Sequence, residues 1–232
     1  MQFPIEKKHS LSNKLFNIFF TIILILSGAV LVGLINSIIP FQPRQLVDKG
    51  IIHSILMALL YIFITDFIFY WYHRAQHRFK YLWVIHELHH SDNELNVTTS
   101  MRTYWLERPI QALLISIPIS FIVGLDSRGI KIFSLLLTAW LFFTHANLKI
   151  RLGFFTRILC GPQVHRIHHS NLAQHQGKNF AQFFPVIDIL FGTYYHPQQD
   201  EFPSTGLMEK TEDLSIFTAM IKPFTIWFNF LK

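Results

Sequence analysis

Charge and cysteine are scarce in this sequence. Only 15% of its 232 residues are Asp, Glu, Lys or Arg, against about 25% in an ordinary soluble domain. Cys160 is the single cysteine, which excludes an internal disulfide framework and a thiolate metal cluster. No G-x-G-x-x-G segment occurs, so the chain carries no dinucleotide-binding fingerprint. Helical Glu pairs of the kind that hold metals in soluble di-iron bundles are missing too. No repeat, low-complexity stretch or linker divides the chain, and residues 1–232 read as a single domain.

Apolar side chains are abundant instead: 51% of residues are hydrophobic, 24 of them Phe, and the mean hydropathy is +0.33. That is more apolar surface than one globular core buries, and it points to the membrane. The net charge of +6 lies between apolar runs, where it suits lipid headgroups. No nucleic acid partner is expected.

Four runs are candidates for crossing the bilayer. Residues 15–43 carry no charge, enough for a span of roughly 20 residues and longer than a signal-peptide core of about 7–15. Residues 51–72 form the second, interrupted by His53 and Asp66. Residues 109–125 form the third, with Pro118 expected to kink it, and 132–148 the fourth. The polar, aromatic-studded segments 73–108 and 149–213 read as a cap at the membrane surface. Residues 214–231 suit a helix lying in the interface. The predicted fold is therefore all-α: an integral membrane helical bundle of about four spans with a helical cap. Four crossings put the N-terminus, 73–108 and everything after 148 on one side. That side holds all of the 20 Lys and Arg except Arg44, Lys49, Arg128 and Lys131. The excess of positive charge assigns the cap to the cytoplasm.

Thirteen histidines are present, and all but His9 and His53 lie between positions 73 and 196. His73 and His77 close the second run. His86, His89 and His90 follow, His145 lies at the end of the fourth run, and His165, His168 and His169 complete the set. Spacings of three and four place side chains on one helical face. A membrane hairpin separates the first two groups from the last two, so all nine return to one side. Nine imidazoles exceed what one tetrahedral zinc needs and suit two metals with four or five ligands each. Ligand type alone leaves iron, zinc and copper open.

Two other readings compete. His86-Glu87-Leu88-His89-His90 matches H-E-x-x-H, in which His86 and His90 would bind zinc and Glu87 would act as the base of a membrane zinc hydrolase or protease. That leaves the remaining histidines unexplained, and the second box has Arg166 where Glu is required. A non-enzymatic metal-binding protein, a transporter or sensor, would spread ionisable groups through the spans rather than gather them at one end. Asp66 lies at membrane depth, where a carboxylate is costly and usually functional. Two turns before His73, it is expected to accept a proton from a ligand imidazole.

Taken in order, several segments are similar to the fatty acid hydroxylase and sterol desaturase superfamily of membrane di-iron enzymes. They are Asp66-Phe-Ile-Phe-Tyr-Trp-Tyr-His73-Arg-Ala-Gln-His77, His86-Glu-Leu-His-His-Ser-Asp92, Asn96-Val-Thr-Thr-Ser-Met-Arg102, His165-Arg-Ile-His-His-Ser170, Lys178-Asn179-Phe180-Ala181 and Asp188-Ile-Leu-Phe-Gly-Thr-Tyr194. The resemblance covers about residues 60–200. It implies a cytosolic cap holding two iron ions, with O2 as co-substrate, oxidising an unactivated C–H bond of a lipid (sterol, fatty acyl or related) by hydroxylation or desaturation. It assigns ligand roles to His73, His77, His86, His89, His90, His145, His165, His168 and His169, with His175 as a tenth candidate. It also requires electrons from an external donor, a separate reductase, cytochrome or ferredoxin. Two positions depart from the pattern. Gly177 stands where the family often has Asp, and Tyr104 where many relatives have His, a change expected to reshape the pocket.

Overall fold

The computed structural model describes residues 11–38, 47, 49–208 and 215–230. The end of the first apolar run, at 39–43, lies outside the described residues, as do Leu214 and Leu231 at the limits of the tail helix. The described chain is helical, with no strand among the described residues and only isolated bridge positions, including a bridge between Ser170 and Thr205.

Two helices of 28 residues come first: α1 (Leu11–Ile38) and α2 (Ile51–Arg78). Neither contains proline, and their apolar side chains are exposed more often than buried. Leu15, Ile22, Ile25 and Leu26 of α1 and Leu56, Leu59 and Phe63 of α2 are all exposed. Such surface demands a hydrocarbon solvent. Helix α3 (Lys80–His90) follows α2 almost without a break. After α6 (Ser127–Thr144) come two short helices, α7 (Pro162–His168) and α8 (Pro185–Leu190), and the chain ends with α9 (Ile216–Phe230). α1, α2 and α6 are long and apolar enough to cross a membrane.

The third apolar run, expected to be kinked by Pro118, is short and irregular. It is helical from Glu107 to Ile122, but as α4 (Glu107–Gln111) and α5 (Ile117–Ile122) joined by a π-turn over Ala112–Ser116. At about 1.5 Å per residue it reaches roughly 24 Å, less than the ~30 Å hydrocarbon thickness. Pro118 accounts for the irregularity, since it cannot donate to the carbonyl four residues earlier.

Two polar knots align these helices. At the far end, Asp126 caps α6 by accepting from the Gly129 amide at 2.6 Å and the Ser54 hydroxyl of α2 at 2.8 Å. At the cap end, buried Asp92 accepts from Asn13 (2.8 Å), Asn17 (3.1 Å) and Thr99 (2.5 Å). Arg102 donates to Asn13 (2.7 Å), Ser91 (2.7 Å) and the Leu88 carbonyl (3.1 Å). The Asp92 and Arg102 of the two middle motifs thus tie α1 to the end of α3, directly beside His89 and His90.

The tail helix packs on the cap through α3. The Trp227 indole donates to the Tyr81 carbonyl at 3.0 Å, and Lys222 pairs with Glu87 at 2.7 Å. Tyr104 is fully buried in the core shared by α1, α3 and α9, its hydroxyl on the Met220 carbonyl at 2.9 Å. Its expected effect on the pocket is corrected accordingly: Tyr104 fills the cap core.

Candidate metal centre

Helices α2, α3, α6 and α7 deliver the histidine groups to one place. Nine donors form two sets, each with its ligand atoms within 4.8 Å of one another. One comprises His73, His77, His86, His90 and His168; the other comprises His89, His145, His165 and His169. These are the nine positions expected from the sequence. The split is not by motif: His86 and His90, one turn apart on α3, join the first set, whereas His89 between them joins the second. His168 and His169, adjacent on α7, divide in the same way.

Within the first set the Nε2 atoms of His73 and His86 are 3.0 Å apart, those of His86 and His90 3.2 Å, and those of His90 and His168 3.1 Å. In the second, His89 and His145 are 3.2 Å apart, and His165 lies 3.1 Å from both His145 and His169. Nitrogen donors sharing one ion at about 2.0–2.1 Å approach one another to about this distance. Several of the rings cannot donate to one another, because the Nδ1 atoms of His73, His86, His145 and His168 already face oxygen acceptors. His77 Nε2 is buried without a partner among the described residues. Buried polar nitrogens are rarely left this way, so the donor set fits metal ions.

Burial lowers the basicity of these rings. It pushes His168 down to about 3 and His145 to about 4, against the favourable Lys178 and Leu141 carbonyls. It holds His89, His90, His165 and His169 well below the usual imidazole range, and neighbouring imidazoles push in the same direction. The lone pairs are therefore free for metal at neutral pH.

Supporting groups fix the ring orientations. His73 Nδ1 faces the Phe180 carbonyl at 2.8 Å and His168 Nδ1 the Lys178 carbonyl at 2.9 Å. The segment between them turns at Asn179, whose φ of 56° is left-handed backbone that Asn tolerates. Two carboxylates hold this segment by its amides. Asp188 accepts from Phe180 (2.7 Å) and Ala181 (2.9 Å), while Asp66 accepts from Gln182 (2.7 Å), Phe183 (3.0 Å) and Phe184 (2.8 Å).

The expected direct bond from Asp66 to a ligand imidazole is thus corrected. Seven residues along a helix is a rise of about 10.5 Å, which leaves the carboxylate facing the 182–184 backbone. It acts on His73 through the segment whose Phe180 carbonyl His73 meets. His175 is also corrected: it belongs to neither set, and its ring nitrogens meet Ser170 Oγ at 2.9 Å and Glu201 Oε1 at 3.0 Å.

A different carboxylate, one that the sequence motifs do not include, touches one of these imidazoles. Glu107, 1% exposed, lies 2.8 Å from His86 Nδ1 and accepts from Gln76 Nε2 at 3.1 Å. The available signal was its position as the sole acid between Glu94 and Asp126, at the head of an apolar run. Glu107→Gln is expected to weaken metal affinity about 10- to 100-fold, the usual effect of losing such a support. Chelator competition measures this, and unchanged affinity would remove Glu107 from the centre.

Glu87, the base of the zinc-hydrolase reading, is turned away onto Lys222 of α9 and belongs to neither set.

Three cavities reach this region. A chamber of about 40 Å³ borders both sets, touching His73 and His86 of one and His89, His145 and His165 of the other. A second, of about 100 Å³, lies between Ile62 of α2, Ile115 of the π-turn, and Phe133 and Leu137 of α6. A third, of about 620 Å³, adjoins His77 from the side of Arg74 and Arg78, with Gly177 in its wall.

The fold and the site define a helical protein with membrane-length apolar helices and two adjoining sets of buried histidines that could each hold a metal ion. The chain belongs to the fatty acid hydroxylase family, whose model matches residues 58–193. Among curated relatives it is 31% identical over 131 residues to alkylglycerol monooxygenase of Xenopus tropicalis, covering 56% of this chain and 28% of that protein. It is 32% identical over 137 residues to alkylglycerol monooxygenase of Homo sapiens, again 56% of this chain and 28% of the other. It is 27% identical over 171 residues to the ornithine lipid hydroxylase OlsE of Rhizobium tropici, covering 72% and 50%. The chain thus spans half or less of the length of these relatives. No solved structure matches.

Proposed function

We propose that this chain is an O2-dependent di-iron enzyme that hydroxylates an unactivated C–H position of a lipid. The observation that carries the reading is the sorting of nine buried histidines into two adjoining sets of five and four. Two irons, when bound, would supply the activation of O2 that such a bond requires. His73, His77, His86, His90 and His168 would hold one ion, and His89, His145, His165 and His169 the other. Glu107 and the carbonyls of Phe180, Lys178 and Leu141 orient four of those rings. The small chamber admits few atoms and limits water at the reacting position. The relatives named monooxygenase and hydroxylase favour hydroxylation over desaturation. Electrons come from an external donor, and the charge distribution supports a cytoplasmic cap.

Anaerobic purification followed by metal analysis and oxygen uptake with lipid extracts tests this. Two irons per chain and products heavier by one oxygen are expected. One zinc per chain and no oxygen dependence would overturn it.

A further inference from the structure

Between the 40 Å³ chamber and the 100 Å³ apolar cavity lies a neck whose residues line both: Phe69, Arg108, Gln111 and Gln182. Three of these four are polar; the adjoining walls combine Ile62, Ile115, Phe133 and Leu137 with Thr65, Ser116 and Asp66, whose carboxylate is already taken by the amides of residues 182–184. Gln111 is engaged at both ends, donating to Glu107 at 3.3 Å and accepting from Arg108 at 3.3 Å, whereas most of the donors of Arg108 and the Gln182 amide nitrogen are unused. Among the described residues, the only side-chain hydrogen bond of Arg108 runs from Nη1 to Gln111 Oε1 at 3.3 Å, although a guanidinium carries five donors. Gln182 Nε2 and Thr65 Oγ1 are buried with no partner among the described residues. The Thr65 hydroxyl does not even take the carbonyl one turn back, as helical threonines commonly do. Thr65 and Gln182 both line the apolar cavity, and Gln182 also lines the chamber.

Donors left open in a largely apolar cavity mark the place of an acceptor. We infer that Arg108, with Gln182 and Thr65, is a substrate-positioning site that holds an oxygen-bearing group of the lipid at the neck. The ligand class is a lipid with an acceptor oxygen a few bonds from the carbon that is oxidised. Its chain lies among α2, the π-turn and α6. The chamber beyond the neck has room for only a few atoms, so a long methylene segment cannot extend past the polar collar. Oxidation is thereby directed close to the head group rather than to mid-chain. The π-turn serves this arrangement by joining Gln111 at the neck to Ile115 and Ser116 in the cavity wall.

The inference rests on the lipid-hydroxylase reading for the identity of the reaction, but binding can be tested apart from it. The full chain in lipid nanodiscs, with and without iron, is equilibrated with radiolabelled hexadecane, hexadecan-1-ol, 1-O-hexadecylglycerol and hexadecanoate. Wild type is expected to bind at least one oxygen-bearing probe about 10- to 100-fold more tightly than hexadecane, the scale of a charge-assisted hydrogen bond. Which of them is preferred separates a neutral from an anionic head group. Arg108→Gln is expected to abolish the preference while leaving hexadecane binding unchanged, and Arg108→Lys to keep part of it. Three results would each overturn the site: no preference in wild type, a preference retained in Arg108→Gln, or hexadecane binding lost equally. A chain that keeps the preference but binds no iron would defeat the hydroxylase reading and leave the site standing.

Discussion

Replacing His89 by alanine is expected to remove one of the two metal ions and abolish lipid oxidation while leaving the fold intact. His89 Nε2 lies 3.2 Å from His145 Nε2, in the set completed by His165 and His169. Losing it leaves that set three donors. Because both sets border the same chamber, the reacting position loses half of its machinery. The fall in activity should exceed the roughly hundredfold ceiling for a merely supporting group. Stability should change little by comparison, because His89 Nδ1 has no hydrogen-bond partner that the truncation would orphan. Metal content, oxygen uptake and thermal unfolding on one preparation separate these effects. The H-E-x-x-H alternative makes the opposite forecast, since it uses His86 and His90 and leaves His89 idle. A His89→Ala protein that keeps its full metal content and its activity would therefore end the two-set reading.

Asp66→Ala is expected to act on the fold first and on the centre as a consequence. Its carboxylate is the acceptor for three successive amides, those of Gln182, Phe183 and Phe184. Each donor left unpaired in a buried site costs about 1–3 kcal/mol. The total is on the order of 5 kcal/mol, a large share of the ~5–15 kcal/mol that holds a domain together. The released segment is continuous with Lys178 and Phe180, whose carbonyls orient His168 and His73. Metal affinity should therefore fall alongside the unfolding temperature. Asp66→Asn should be intermediate, because the amide presents one acceptor oxygen and turns an N–H toward a donor. Hydrogen exchange of residues 182–184 reads the local effect directly. Unaltered protection there in Asp66→Ala would show that the carboxylate does not hold the segment.

Asp66 also shows how sequence and structure divide the information. Its importance was legible, because an acid inside an apolar run has to have a partner. The partner was not, because it is three main-chain amides more than a hundred residues away, and backbone donors leave no mark in the sequence. The carbonyls of Lys178 and Phe180 were hidden for the same reason. Glu107 had the same kind of signal as Asp66, a lone acid at the head of an apolar run, but nothing local linked it to His86. Pro118 announced an irregular third helix. The π-turn that resulted, and the position of Arg108 and Gln111 beside the histidine-lined chamber, follow from how that segment packs against α1 and α2.

The sequence by itself determined that this is an all-helical membrane protein and which nine histidines gather, since helical spacing and apolar run length are local properties. The tertiary structure alone decided how those nine divide. Neighbours such as His89 and His90, or His168 and His169, point about 100° apart around a helix and so serve different sets. Which ring joins which partner depends on the docking of α3 and α7 against α2 and α6. The polar neck at Arg108 has the same origin: its members come from three distant segments and become a site only once those segments pack together.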